Sequence, residues 1–172
     1  MKILNIHGYR GSAENSAYSA LKEIGCDVLS PQTDYDSAPP DEVMAVLRDI
    51  ADNAEIGLIV GTSLGGFYAA VLAAETDLPV LLVNPCLMPF YHLPKLGYDG
   101  DIRPYIALFG ELSYLDRSKV GCIVGSCDEV IDTHSFAKTL FENERFRTVP
   151  DGKHSGATLP LAEYFGEMLK TF

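Results

Sequence analysis

The sequence predicts an α/β fold: one domain with a mostly parallel sheet of about six strands and helices on both faces. Three observations carry this. Short apolar runs alternate with helix-periodic runs along the chain, the pattern of a parallel sheet wrapped by its own crossovers. The run IGLIVG (56–61) is almost continuously apolar, as a strand buried on both faces must be. The chain has 172 residues, enough for a single substantial core.

Each element follows in order. KILNI (2–6) is a short apolar strand that ends at HGYRGS. Residues 14–24 read as a helix, with Ala17, Leu21 and Ile24 spaced for one face. CDVLS (26–30) is the second strand, stopped by Pro31. After a loop rich in Pro and Asp, Asp41 is placed to cap a helix over 42–52 that turns Val43, Val46, Leu47 and Ile50 inward. IGLIVG is the third strand, and the helix from Leu64 to Glu75 follows it directly. PVLLVN (79–84) and VGCIVG (120–125) are the fourth and fifth strands. A helix over 133–143, with Asp132 as its expected cap, leads to the strand RFRTV (145–149) and a closing helix over 159–171. One segment breaks the rhythm. Residues 85–118 hold four prolines and four tyrosines and are too long for a plain connection. They read as one or two short helices plus loops over the top of the sheet, either a small cap or a long crossover. Met88, Phe90, Tyr91, Leu93, Leu96 and Tyr98 are its candidates for lining a pocket.

The bulk properties narrow the function. A net charge of −11 repels nucleic acid and anionic lipid surfaces, although one local cluster could still hold an anion. No apolar run is long enough to span a membrane, and MKILNIHGYR does not read as a signal peptide. Cys26, Cys86, Cys122 and Cys127 form no CxxC and no zinc-spaced Cys/His pair, so no metal is expected. Reduced, buried thiols in a cytoplasmic protein are the plain expectation.

The chemistry gathers around GTSLGG (61–66). Chance alone produces G-x-S-x-G in a chain this long about one time in twenty, so context must decide. Here the motif follows an apolar strand and opens a helix, the setting of a nucleophile elbow with Ser63 at its apex. Gly61 and Gly65 suit close approach of backbone and helix, and Gly66 serves the same packing. A serine hydroxyl needs a base. Of the four histidines, His154 lies in DGKHSG, between the last strand and the last helix, at the carboxyl edge where ligands collect in open α/β sheets. His134 reads as an exposed residue near a helix start, and His92 has no partner that the sequence names. The base needs an acid to orient it, and Asp128 in GSCDEVID ends the fifth strand at the same edge, with Glu129 directed elsewhere. An oxyanion needs two N–H donors. Leu64 follows the nucleophile and Tyr9 follows His7-Gly8, where glycine lets the chain bend over Ser63. His7 reads as a structural hydrogen-bonder of that loop.

With these residues placed, the chain resembles the YqiA-like esterases, small bacterial single-domain α/β-hydrolases. The resemblance rests on HGYRGS, GTSLGGFYA, NPCLMPF, CDEVID and GKHSG, and runs over most of the length. It implies Ser63 as nucleophile, Asp128 as acid and His154 as base, acting without a cofactor on a small-molecule acyl ester or thioester. Two departures bear on the pocket: Ser155-Gly156 stands where the family often has an aromatic residue, and Cys127 precedes Asp128 where it often has glycine. The sequence leaves two other readings open. One is an acyltransferase or peptidase with the same three residues; the other is a binding protein that keeps the fold without the chemistry.

Overall fold

The computed structural model describes residues 1–172. Six strands form one parallel sheet: β1 (Lys2–Ile6), β2 (Asp27–Leu29), β3 (Ile56–Thr62), β4 (Val80–Val83), β5 (Val120–Gly125) and β6 (Phe146–Val149). Their spatial order is β2-β1-β3-β4-β5-β6. The chain therefore winds one way from β1 to β2, then reverses and fills the sheet from β3 to β6. The crevice at that reversal lies between the carboxyl ends of β1 and β3, where open α/β sheets take ligands.

Alternation along the strands sends side chains to two cores. Leu4, Ile6, Ile59, Val80 and Leu82 face one layer, with α2 (Pro40–Asn53) and α3 (Leu64–Thr76). Ile3, Leu58, Val60, Leu81 and Val83 face the other, with α1 (Ser16–Glu23) and α7 (Leu161–Met168). Helix α3 is apolar all round and buried without interruption from Leu64 to Ala73, as a helix enclosed on every side must be. Asn15 caps α1 by accepting from the N–H of Tyr18.

Two helix starts differ from the sequence expectation. Helix α2 begins at Pro40, whose missing N–H costs nothing at a helix start, so Asp41 sits in the first turn instead of capping. The inward face is then Val43, Met44 and Leu47, while Val46 is 56% exposed. Helix α6 (His134–Phe141) starts after Thr133, and Asp132 is an exposed partner of Lys95 and His92 instead of a cap.

Residues 85–118 form α4 (Pro89–His92), a 3-10 turn (Leu93–Leu96), α5 (Arg103–Glu111) and two further 3-10 turns. Leu87, Leu93, Tyr98, Tyr105, Leu112 and Leu115 of this segment are buried in the α2/α3 layer. The Tyr68 and Tyr105 hydroxyls lie 3.2 Å apart, and Tyr35 stacks on Tyr68. This side of the molecule is filled with aromatic rings. No helix is long and apolar enough to cross a membrane.

Candidate active site

Ser63 stands between β3 and α3 with φ 54° and ψ −120°. A non-glycine residue reaches this region only when its surroundings force it. Three backbone hydrogen bonds force it: the Ser63 N–H donates to Val83 O at 3.0 Å, and Ser63 O accepts from the N–H groups of Gly66 and Cys86, each at 2.9 Å. The glycines permit the turn. A Cβ on Gly61 would lie 2.3 Å from Gly65 O, and one on Gly65 would lie 2.2 Å from Ile6 O. No side chain fits at either place.

The loop after β1 closes over the serine. A Cβ on Gly8 would come 2.9 Å from Ser63 Cβ and 3.4 Å from its Oγ. His7, fully buried, holds this loop from both ring nitrogens. Its Nε2 accepts from the Thr33 N–H at 2.9 Å, which leaves the proton on Nδ1 to donate to Gly8 O at 2.8 Å. Burial holds this imidazole below its ordinary value, against the opposing pull of the Gly8 hydrogen bond. The Tyr35 hydroxyl donates to His7 O at 2.7 Å. The N–H of Tyr9 has no backbone acceptor, and Leu64 is the first residue of α3, where a helix leaves its N–H groups without partners. The Tyr9 hydroxyl is bonded to Asp36.

Asp128 follows β5 and its side chain is 1% exposed. Its Oδ1 accepts the N–H groups of Val130 and Ile131, each at 2.8 Å. His154 Nδ1 lies 2.9 Å from Oδ2 and 3.1 Å from Oδ1. Burial pushes the Asp128 carboxyl up, but hydrogen bonds from His134, His154, Ile131 and Val130 outweigh it and hold the group well below the usual carboxylate range. An ionised carboxylate only accepts, so the neutral His154 ring carries its proton on Nδ1 and leaves Nε2 with a free lone pair. Glu129 does not point away: its Oε2 accepts from the His154 N–H at 3.1 Å.

His154 and Ser63 line one cavity of ≈ 230 Å³. Gly8, Tyr9, Asn15 and Ser16 line it too, and no direct hydrogen bond joins Ser63 to His154. None of the six apolar candidates in 85–118 reaches this cavity; Leu93 and Tyr98 are core residues. A cavity of ≈ 390 Å³ lies on the other side of Asp128 and meets His134 and Lys138. All four cysteines are free; Cys86 and Cys122 are buried, and Cys127 is exposed. Burial pushes the Cys86 thiol up to about 12, so it offers no thiolate beside Ser63.

Two residues at the site went unassigned in the sequence. Asn84, fully buried at the end of β4 with φ 43°, donates through Nδ2 to the carbonyls of Lys153 and His154, both at 2.9 Å, and accepts the Gly125 N–H at 2.8 Å. It ties the His154 loop to β4 and β5. Its only sequence signal is a polar residue ending an apolar strand. His134 is not an exposed helix-start residue. Its side chain is 14% exposed, and Nε2 lies 2.8 Å from Asp128 Oδ2. His92 does have partners: Nε2 is 3.0 Å from Thr133 Oγ1 and 3.7 Å from Asp132.

Solved structures share this architecture. A protein assigned to the α/β hydrolase superfamily, from Xanthomonas campestris pv. campestris, superposes with a TM-score of 0.70 at 18% identity, covering 99% of both chains. A structure from a study of two metagenome-derived lipolytic enzymes gives 0.68 at 15% identity, over 98% of this chain and 93% of that one. A Pyrococcus furiosus esterase gives 0.63 at 16% identity, over 99% of this chain and 81% of that one. At such identities the likeness establishes the fold, a single-domain α/β-hydrolase fold. The sequence carries the closer relation: the model of an uncharacterised protein family, UPF0227, matches residues 2–107, more than half of the chain, and the protein belongs to that YqiA-like family.

Proposed function

We propose that the protein is a serine hydrolase of carboxylic esters or acyl thioesters, with Ser63 as nucleophile, His154 as base and Asp128 as the acid that orients it. One observation carries the proposal. A serine forced to φ 54° shares a cavity with an imidazole whose Nδ1 is hydrogen-bonded to a buried carboxylate. Strain of this kind costs about 1–3 kcal/mol and persists where function requires it.

In the proposed reaction His154 Nε2 takes the proton from Ser63 Oγ as Oγ bonds to the acyl carbon. The carbonyl electrons move to oxygen, where the N–H groups of Tyr9 and Leu64 hold the charge. The bond to the leaving group breaks, and His154 gives its proton to the departing alcohol or thiol. Water, deprotonated by His154, then releases the acid and restores the serine. The small cavity favours short acyl groups.

The test is intact-mass spectrometry after incubation with a fluorophosphonate probe. Wild type should gain one adduct and a folded Ser63→Ala variant none. A wild-type protein that takes no adduct, or an alanine variant that takes the same one, sinks the proposal.

A further inference from the structure

We infer that His134 is a positioning residue of this site: its Nε2–H grips Asp128 Oδ2 and fixes the plane of the carboxylate that orients His154. The inference rests on the reading of Ser63, His154 and Asp128 proposed above.

Asp128 accepts from four groups. The Val130 and Ile131 N–H groups both land on Oδ1 at 2.8 Å. His134 Nε2 reaches Oδ2 at 2.8 Å, and His154 Nδ1 reaches the same oxygen at 2.9 Å. The backbone thus holds one oxygen, and on the other the only donors are His134 and His154; the last torsion of a carboxylate is intrinsically broad and soft, so a second hold adds to its rigidity. His134 supplies the contact on the second oxygen that does not come from the base itself. A carboxylate within a protein active site orients the imidazole only as well as it is itself held.

The tautomer of His134 follows from its surroundings. Nε2 faces a carboxylate and must donate, so in the neutral ring Nδ1 bears no proton. Nδ1 is buried and has no partner. A proton there would be a buried N–H without an acceptor, which is costly. In the neutral ring the proton therefore sits on Nε2, facing the carboxylate. The start of its helix is pinned in turn: His92, 1% exposed on α4, meets Thr133 Oγ1 at 3.0 Å. His134 lines the cavity behind Asp128 and not the one that holds Ser63. Its removal should act on the rate of bond formation at Ser63 and leave binding in the Ser63 cavity alone.

The experiment measures fluorophosphonate labelling of Ser63 under saturation in wild type, His134→Leu and His134→Gln, beside the NMR signal of the His154 Nδ1–H. Leucine removes the donor, while the glutamine amide can place one near the position of Nε2. The expected results are a maximal labelling rate about tenfold lower in His134→Leu, as loss of a hydrogen bond to a charged group implies, an unchanged half-saturating probe concentration, an Nδ1–H signal broadened by exchange, and recovery of rate and signal in His134→Gln. A folded His134→Leu that labels at the wild-type rate overturns the inference, as does a glutamine variant no better than leucine. Should the leucine variant not fold, the ring nitrogen shifts of His134 in wild type decide: an Nε2 without a proton overturns the inference, and an Nε2–H coupled to the Asp128 carboxylate upholds it. A wild-type protein that takes no probe fails at the underlying reading, and is thereby told apart from failure of the role given to His134.

Discussion

Asn84→Ala tests whether the His154 loop is held from the middle of the sheet. Asn84 is completely buried and makes three hydrogen bonds, two to the carbonyls of Lys153 and His154 and one from the Gly125 N–H. Alanine leaves all three groups buried without this partner. Each such group costs about 1–3 kcal/mol, and the carbonyls recover part of that by relaxing or taking a water. A loss of roughly 3–5 kcal/mol follows from the hydrogen bonds. The backbone adds to it: at φ 43° asparagine is tolerated, while alanine loses about 1–2 kcal/mol. The total, about 4–7 kcal/mol, is of the order of a whole domain's stability. The measurement is urea unfolding at low temperature beside the rate of fluorophosphonate labelling. Asn84→Asp separates the causes, because it keeps the acceptor for Gly125 and the backbone preference but turns an oxygen toward two carbonyls. Both variants should label at least tenfold more slowly than wild type, since the loop that carries His154, the proposed base, loses its tether. A change in unfolding free energy below about 1 kcal/mol for Asn84→Ala, with labelling at the wild-type rate, would refute the reasoning.

Two further predictions bear on the strained serine and on the loop above it. Ser63→Gly should raise stability by about 1–3 kcal/mol, because glycine adopts φ 54° and ψ −120° without strain, while abolishing probe labelling; a variant no more stable than wild type would show that the turn stores nothing. Acid should weaken the fold through His7 and His92, whose imidazoles burial holds below 6.5, with Asp132 pulling His92 the other way. Above pH 6.5 both folded and unfolded chains hold these rings neutral. Below it the unfolded chain takes up protons first, so stability falls as pH falls, by at most about 1.4 kcal/mol per pH unit for each ring. Unfolding midpoints between pH 5 and 7.5 should show a shallower slope in His7→Gln than in wild type, and parallel slopes would remove His7 from the account.

Much of the fold was legible because its signals are local. The central strands are continuous apolar runs, and α3 announces itself by following one of them directly. The strained turn at Ser63 was legible for the same reason, since the glycines that permit it lie within three residues. The first turn of α2 was misjudged because Asp41 resembles a cap, while Pro40 is equally at home at a helix start; the early start goes with Met44, not Val46, facing the core. His134 was misread because a histidine at a helix start is usually exposed. Here the chain after β5 curls around the Asp128 carboxylate, which takes the Val130 and Ile131 N–H groups, and the curl returns residue 134 to the carboxylate it left six residues before.

Asn84 was invisible for a different reason, which lies in the order of the strands. Residues near one another at the site follow β1, β3, β4, β5 and β6, and that sequence of ends exists only once the sheet has been assembled. Strand β4 lies between the strand that presents Ser63 and the strand that presents Asp128. A loop carrying His154 from β6 toward Ser63 must therefore pass over the end of β4, and its carbonyls meet whatever stands there. An apolar residue at that place would leave them buried without donors; a long charged one would not fit. Asparagine supplies two N–H donors to the loop and an acceptor to β5 from a side chain short enough to remain in the sheet. The requirement spans 70 residues between Asn84 and His154. It is set by topology, so no window of sequence around either residue contains it.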